Sequence, residues 1–189
     1  MAFEDYQTKQ SVVVVYTGEG KGKTSAGVGL LVRGLGAGWK VAFVQFIKHW
    51  QVSEHDFIDT IAPLYDGKLL FYKGGKGFYN AGNISEKNVT EAEHKQAALD
   101  TYNVALGAVQ SGEYDLVVCD EINNAVHDKL LTTEQMAVLF DSRDLRTSLC
   151  MTGRDFPEEL LNKVDIATHM SKIKHHFDDK FLANKGIDF

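Results

Sequence analysis

The apolar run Val12-Val13-Val14-Val15-Tyr16 passes directly into Thr17-Gly18-Glu19-Gly20-Lys21-Gly22-Lys23-Thr24, and this junction constrains the fold more than any other part of the chain. A run of strand formers suits a β-strand covered on both faces. The glycines that follow let the backbone turn sharply and gather its N–H groups into a nest for phosphate oxygens. A helix starting there aims its positive end at the same charge. Lys23 adds a mobile cation, and Thr24 offers a hydroxyl to Mg²⁺. Gly18, Glu19, Gly20, Lys21, Gly22, Lys23, Thr24 and Ser25 are therefore the expected triphosphate contacts. The general phosphate-loop pattern begins with Gly, whereas Thr17 holds that place here.

At 189 residues the chain has the length of one domain with a full core. It is read as a single P-loop nucleotide-binding domain over residues 1–189, with residues 1–10 as an N-terminal arm that is flexible or contacts a partner. The formal net charge is -6, from 20 basic and 26 acidic residues, so no global basic field exists to hold nucleic acid. Cys119 and Cys150 each lie in an apolar run, as packed thiols in a reducing, cytoplasmic setting would. No run of about 18 apolar residues or basic leader predicts a membrane span or signal peptide.

Apolar and periodic segments alternate along the chain. Helices are predicted over Ser25–Leu35, Thr90–Val109, Thr133–Phe140 and from Pro157 to Lys163; strands over Val41–Phe46, Leu69–Tyr72, Leu116–Cys119, Thr147–Met151 and Val164–Thr168. This order implies an α/β fold: a mainly parallel sheet with helices on both faces, in the P-loop NTPase (RecA-like) architecture.

The run Leu116-Val117-Val118-Cys119 ends in Asp120-Glu121, where a phosphate-loop protein carries the acid that holds Mg²⁺ or its water shell. Asp120 is the preferred metal partner and Glu121 the next, with Thr24. Gln45, Lys48 and Arg154 leave other strands at the same sheet edge, where ligands of open α/β sheets gather. Arg154 brings a planar charged fork suited to phosphate or ribose. Gln45 and Lys48 read equally well as solvated strand-exit residues.

Taken together, Tyr16–Thr24, Val44-Gln45-Phe46-Ile47-Lys48, Asp120-Glu121-Ile122-Asn123, Thr152-Gly153-Arg154, Lys174-His175 and Gly186-Ile187-Asp188-Phe189 resemble the P-loop type of ATP:cob(I)alamin adenosyltransferase. The correspondence runs from Val12 to Phe189, and Thr17 is what the resemblance leads one to expect. It implies ATP and a reduced corrinoid as substrates, Mg²⁺, transfer of 5′-deoxyadenosyl to cobalt and release of triphosphate. Lys23, Thr24 and Glu121 are the implied catalytic residues. A homodimer and an electron donor such as a reduced flavoprotein are implied as well. The family carries a Gly-x-Gly-Phe-x-Trp pattern whose aromatics cover the lower corrin face. Here it reads Gly75-Lys76-Gly77-Phe78-Tyr79-Asn80: Phe78 is the implied corrinoid contact, Asn80 replaces Trp, and Tyr79 or Trp50 is available to compensate.

The residues alone leave two other readings open, an ordinary P-loop NTPase or small-molecule kinase and a non-catalytic ATP or corrinoid carrier. Seven histidines add no metal motif, because His49/His55 and His175/His176 lack the i, i+4 spacing of a helical site. Solvated or packed imidazoles are the expectation for them.

Overall fold

Six short strands and five α-helices form from these segments in a computed structural model that describes residues 5–79, 85–86 and 88–189. The strands are β1 (Val13–Thr17), β2 (Val41–Gln45), β3 (Leu69–Lys73), β4 (Leu116–Asp120), β5 (Ser148–Thr152) and β6 (Ile166–His169). The helices are α1 (Lys23–Gly36), α2 (Ser53–Ile61), α3 (Glu91–Ser111), α4 (Ile122–His127) and α5 (Thr133–Asp141). All strand pairs are parallel, in the order β3-β2-β4-β5-β1-β6. One strand, β5, therefore separates the phosphate-loop strand β1 from the acidic strand β4, as the RecA-like architecture requires.

The pleat sends alternate residues of each buried strand into two separate cores. Val117 and Cys119 face Ala105, Val109, Met136 and Leu139 of α3 and α5. Val118 and Cys150 face Leu31 and Leu35 of α1 and Ile58 of α2. This two-sided burial is why the central strands read as continuous apolar runs. Gly27 lets α1 lie close to the sheet, since a Cβ there would stand 3.3 Å from both Thr152 Cγ2 and Val118 Cγ1.

Side-chain caps fix two helix starts. Thr90 Oγ1 accepts from the Glu93 amide at 3.3 Å while Glu93 Oε2 accepts from the Thr90 amide at 2.8 Å, a reciprocal capping box at the head of α3. Thr132 and Gln135 repeat the device at α5, at 3.1 and 2.8 Å.

Three local expectations change. The segment after Pro157 forms a 3₁₀ helix over Glu158–Lys163 rather than an α-helix, because only Leu160 of its residues is buried and a longer apolar stripe is missing. The last strand begins at Ile166, two residues later than its apolar run, and its side chains are exposed at the sheet edge. Helix α2 was not anticipated: a short helix showing only His55 and Ile58 to the core leaves a faint period. Both cysteines are free and buried. Among the described residues no helix is long and apolar enough to cross a membrane.

Candidate active site

The carboxyl ends of β1, β2, β4 and β5 converge on one cavity of about 1160 Å³. Its floor is the phosphate loop. Lys23 Nζ donates to the carbonyls of Gly18 at 2.7 Å and Gly20 at 2.8 Å, so the loop wraps around its own lysine. Burial, together with the Arg154 cation, holds the Lys23 pKa below its ordinary value. Gly22 caps α1 in a left-handed conformation (φ 105°), which sets the amides of the first turn toward the cavity. Lys21, Thr24 and Ser25 line the same floor. The unusual Thr17 has a local task, because its Oγ1 accepts from the Phe156 amide at 3.2 Å and ties the loop entry to the segment leaving β5.

Asp120 ends β4 fully buried and is held from several directions. Thr152 Oγ1 donates to its Oδ1 at 2.6 Å, while Gln45 Nε2 and Thr24 Oγ1 donate to its Oδ2 at 2.7 and 3.3 Å. The register produces part of this network, since Gln45 of β2 is the direct partner of Asp120 in the sheet. Thr24 is thus placed with its proton toward the carboxylate and its oxygen lone pairs available to a cation.

Glu121 follows in a left-handed conformation (φ 64°), its amide donating to Thr152 Oγ1 at 3.0 Å and its Oε2 accepting from Asn124 at 2.9 Å. Burial and the adjacent Asp120 charge push the Glu121 pKa up to about 7. Lys48 lies beyond β2, paired with Glu54 at 3.0 Å. Burial there acts to lower its pKa, but the carboxylates of Asp120, Glu121 and Glu54 outweigh it and leave the pKa raised. Arg154 reaches back over the loop, its Nε 3.4 Å from Glu19 Oε2 and its amide donating to Asn124 Oδ1 at 2.6 Å. Left-handed non-glycine residues stand at three of these strand exits, Ile47, Glu121 and Asp155. For a β-branched residue such as Ile47 this conformation is costly, and such strain concentrates at functional corners.

The wall opposite the loop is aromatic. Phe78 and Trp50 are both half-buried, with ring centroids 4.8 Å apart. Tyr79 also lines the cavity, and its ring meets that of His94 at 5.2 Å. Asn80 lies outside the described residues. Residues 186–189 close another side of the cavity. Asp188 anchors them, pairing with Lys21 at 2.8 Å and with His176 at 3.4 Å, and Ser53 Oγ donates to the Phe189 carbonyl at 2.9 Å.

Every named candidate among the described residues therefore borders this cavity or the network beneath it. Sequence reasoning allowed for a packed His55 but missed its place in the network beneath the site, where it is fully buried, and missed the closing role of Asp188. A closer count of the 3.6-residue spacing between His55 and Ile58 would have flagged the first. The second lies in the Gly186–Phe189 segment that carries the family resemblance, but nothing local tells that its carboxylate reaches Lys21. Among the described residues no group of three His, Cys, Asp or Glu side chains is arranged to hold a metal ion.

Comparison with known proteins narrows what such a cavity serves. A corrinoid adenosyltransferase of Sinorhizobium sp. is 30% identical over 96% of this chain and 81% of its own length. One from Pseudomonas aeruginosa is 29% identical, covering 96% of this chain and 85% of the relative, and one from Escherichia coli K12 is 27% identical over 97% and 88%. The model of one family matches residues 9–189, which take in the phosphate loop, the acidic strand end, the aromatic wall and the closing segment. The chain belongs to the ATP:corrinoid adenosyltransferase BtuR/CobO/CobP family.

Proposed function

We propose that this chain transfers the 5′-deoxyadenosyl group of ATP to the Co(I) centre of a corrinoid and releases inorganic triphosphate. The observation that carries the reading is the pairing, in one cavity, of a phosphate loop with the Trp50–Phe78 wall. At about 1160 Å³ that cavity exceeds an ordinary small-molecule pocket of roughly 300–1,000 Å³ and suits two substrates meeting.

In this reaction the Co(I) electron pair forms the bond to C5′ as the C5′–O5′ bond breaks, and that bond's electrons leave on the triphosphate. No protein nucleophile is needed. The chain's task is to hold cobalt, C5′ and O5′ in line and to stabilise the leaving charge. The amides of Gly22 and Thr24 with the Lys23 ammonium suit the triphosphate, and Lys21 and Arg154 add charge at its edges. The hydroxyl of Thr24 and the carboxylates of Asp120 and Glu121 are hard oxygen donors, the set Mg²⁺ takes when it keeps several waters and phosphate oxygens. When bound, Mg²⁺ supplies further charge neutralisation for the leaving group.

Phe78 is the proposed corrinoid contact, and Trp50, packed against it, supplies a second ring. A corrinoid arriving as Co(II) requires an electron donor such as a reduced flavoprotein. The reading also includes a cytoplasmic homodimer. Exposed apolar side chains in β6 and the segment that follows it, Ile166, Ile173, Phe177 and Leu182, are in keeping with a second copy, and buried free thiols suit a reducing compartment.

The test is anaerobic incubation with ATP, Mg²⁺ and chemically reduced corrinoid. The expected result is the light-sensitive spectrum of an organocobalt product together with triphosphate. ADP and phosphate would assign the loop to phosphoryl chemistry instead, and tight corrinoid binding without turnover would make the chain a carrier.

A further inference from the structure

A buried hydrogen-bond chain runs from the head of α2 to the acid at the end of β4. Gln45, His55 and Asp120 are all 0% exposed, so each polar atom among them must find its partner inside the protein. The Val52 amide donates to His55 Nδ1 at 3.3 Å. That acceptor role puts the imidazole proton on Nε2, which stands 2.5 Å from Gln45 Oε1 and donates to it. With its oxygen so occupied, Gln45 has its amide nitrogen toward Asp120 Oδ2, at 2.7 Å. Oδ2 also receives the Thr24 hydroxyl at 3.3 Å.

We propose that His55 is a positioning residue for the nucleotide-bound cation: by fixing the orientation of the Gln45 amide, it sets the Asp120 carboxylate and, through Oδ2, the direction in which Thr24 presents its lone pairs. The inference rests on reading Thr24 and Asp120 as the Mg²⁺ side of the site.

An amide has two nearly isosteric orientations, and in the wrong one Gln45 Oε1 would point at the Asp120 carboxylate, oxygen against oxygen. Both ends of Gln45 therefore select the same orientation: the Asp120 carboxylate takes the NH₂, and the His55 N–H holds the oxygen and anchors the amide from the other side. A doubly protonated ring would set N–H against the Val52 N–H, so the device needs the neutral form. Burial, reinforced by the Lys73 cation, lowers the His55 pKa and favours that form. The ring also packs against Phe71, with centroids 5.4 Å apart, so a phenylalanine can keep the packing while deleting the donor.

The experiment measures Mn²⁺ affinity in the presence of ATP by electron paramagnetic resonance on the full chain, with metal-free ATP binding measured alongside. His55→Phe is expected to weaken Mn²⁺ by roughly tenfold or more, the scale of partners that orient metal ligands, and to leave metal-free ATP binding within about twofold. His55→Gln, which retains an N–H donor and an acceptor, is expected to recover most of the affinity. Gln45→Leu covers the case in which His55→Phe fails to fold, and should weaken Mn²⁺ as much. The His55→Phe/Gln45→Leu double variant should be no weaker than Gln45→Leu alone, because His55 acts through Gln45. Wild-type Mn²⁺ affinity in folded His55→Phe, or additive losses in the double variant, would overturn the proposal. Absence of ATP-dependent Mn²⁺ binding in the wild-type chain would overturn the metal reading itself and the relay with it, an outcome distinct from either.

Discussion

Lys23 stands between the carbonyls of Gly18 and Gly20 with its pKa lowered by burial and by Arg154, so it enters the site as a cation already stripped of much of its water. A charge held in that way is strong at the moment a leaving group gathers negative charge. Lys23→Ala is expected to lower kcat/KM for ATP by about 30- to 1,000-fold, or about 2–4 kcal/mol of transition-state stabilisation. Steady-state kinetics on preformed Co(I) corrinoid checks this, and unchanged turnover would remove the lysine from the reaction. Trp50 supports a different prediction because it packs on Phe78 rather than on the loop. Trp50→Ala should impair turnover more from Co(II) corrinoid with reductant than from preformed Co(I). Equal losses in the two assays would mean that the wall does not govern reduction.

The phosphate loop is held in place by its neighbours as well as by its own glycines. Gly20 donates to the Met170 carbonyl at 2.6 Å, and a Cβ on it would stand 2.7 Å from that oxygen and 2.9 Å from the Ser171 carbonyl carbon. Both obstacles are backbone, so Gly20→Ala must shift either the loop or the strand exit. ATP affinity should fall, and stability should fall by about 1–3 kcal/mol, readable as a lower urea midpoint at unchanged slope. At α3 the energetics are local. Thr90→Ala removes one half of a capping box at an exposed helix start and should cost about 0.5–2 kcal/mol by the same measurement, with ATP binding unaffected.

For the whole molecule, acid sensitivity follows from imidazoles buried on the sheet. His55 and His94 are 0% and 3% exposed, and burial lowers the pKa of each from 6.5. Below pH of about 6.5 the unfolded chain takes up protons that the native protein does not, so stability declines as pH falls from neutral and is regained as it rises. The urea midpoint should therefore drop between pH 7.5 and pH 5.5, and drop less in His55→Phe. An equal drop in the variant would exclude His55 as a source.

Much of the architecture was legible because it rests on local chemistry. Two-sided burial writes itself as runs such as Val41–Val44 and Leu116–Cys119, and a phosphate loop must carry glycines and Gly22-Lys23-Thr24 wherever it occurs. Those residues carry the parallel sheet, the glycine-rich loop at the cavity floor and the acidic strand end. What only the tertiary structure decided depends on contacts far apart in the chain. Register, which no single strand encodes, set Gln45 beside Asp120. A nine-residue helix with a faint period delivered His55 beneath them, and Asp188 reached Lys21 across 167 positions to close the cavity. Sequence pattern reports which face of an element is buried; which side chains from different elements then meet is fixed by packing and strand order.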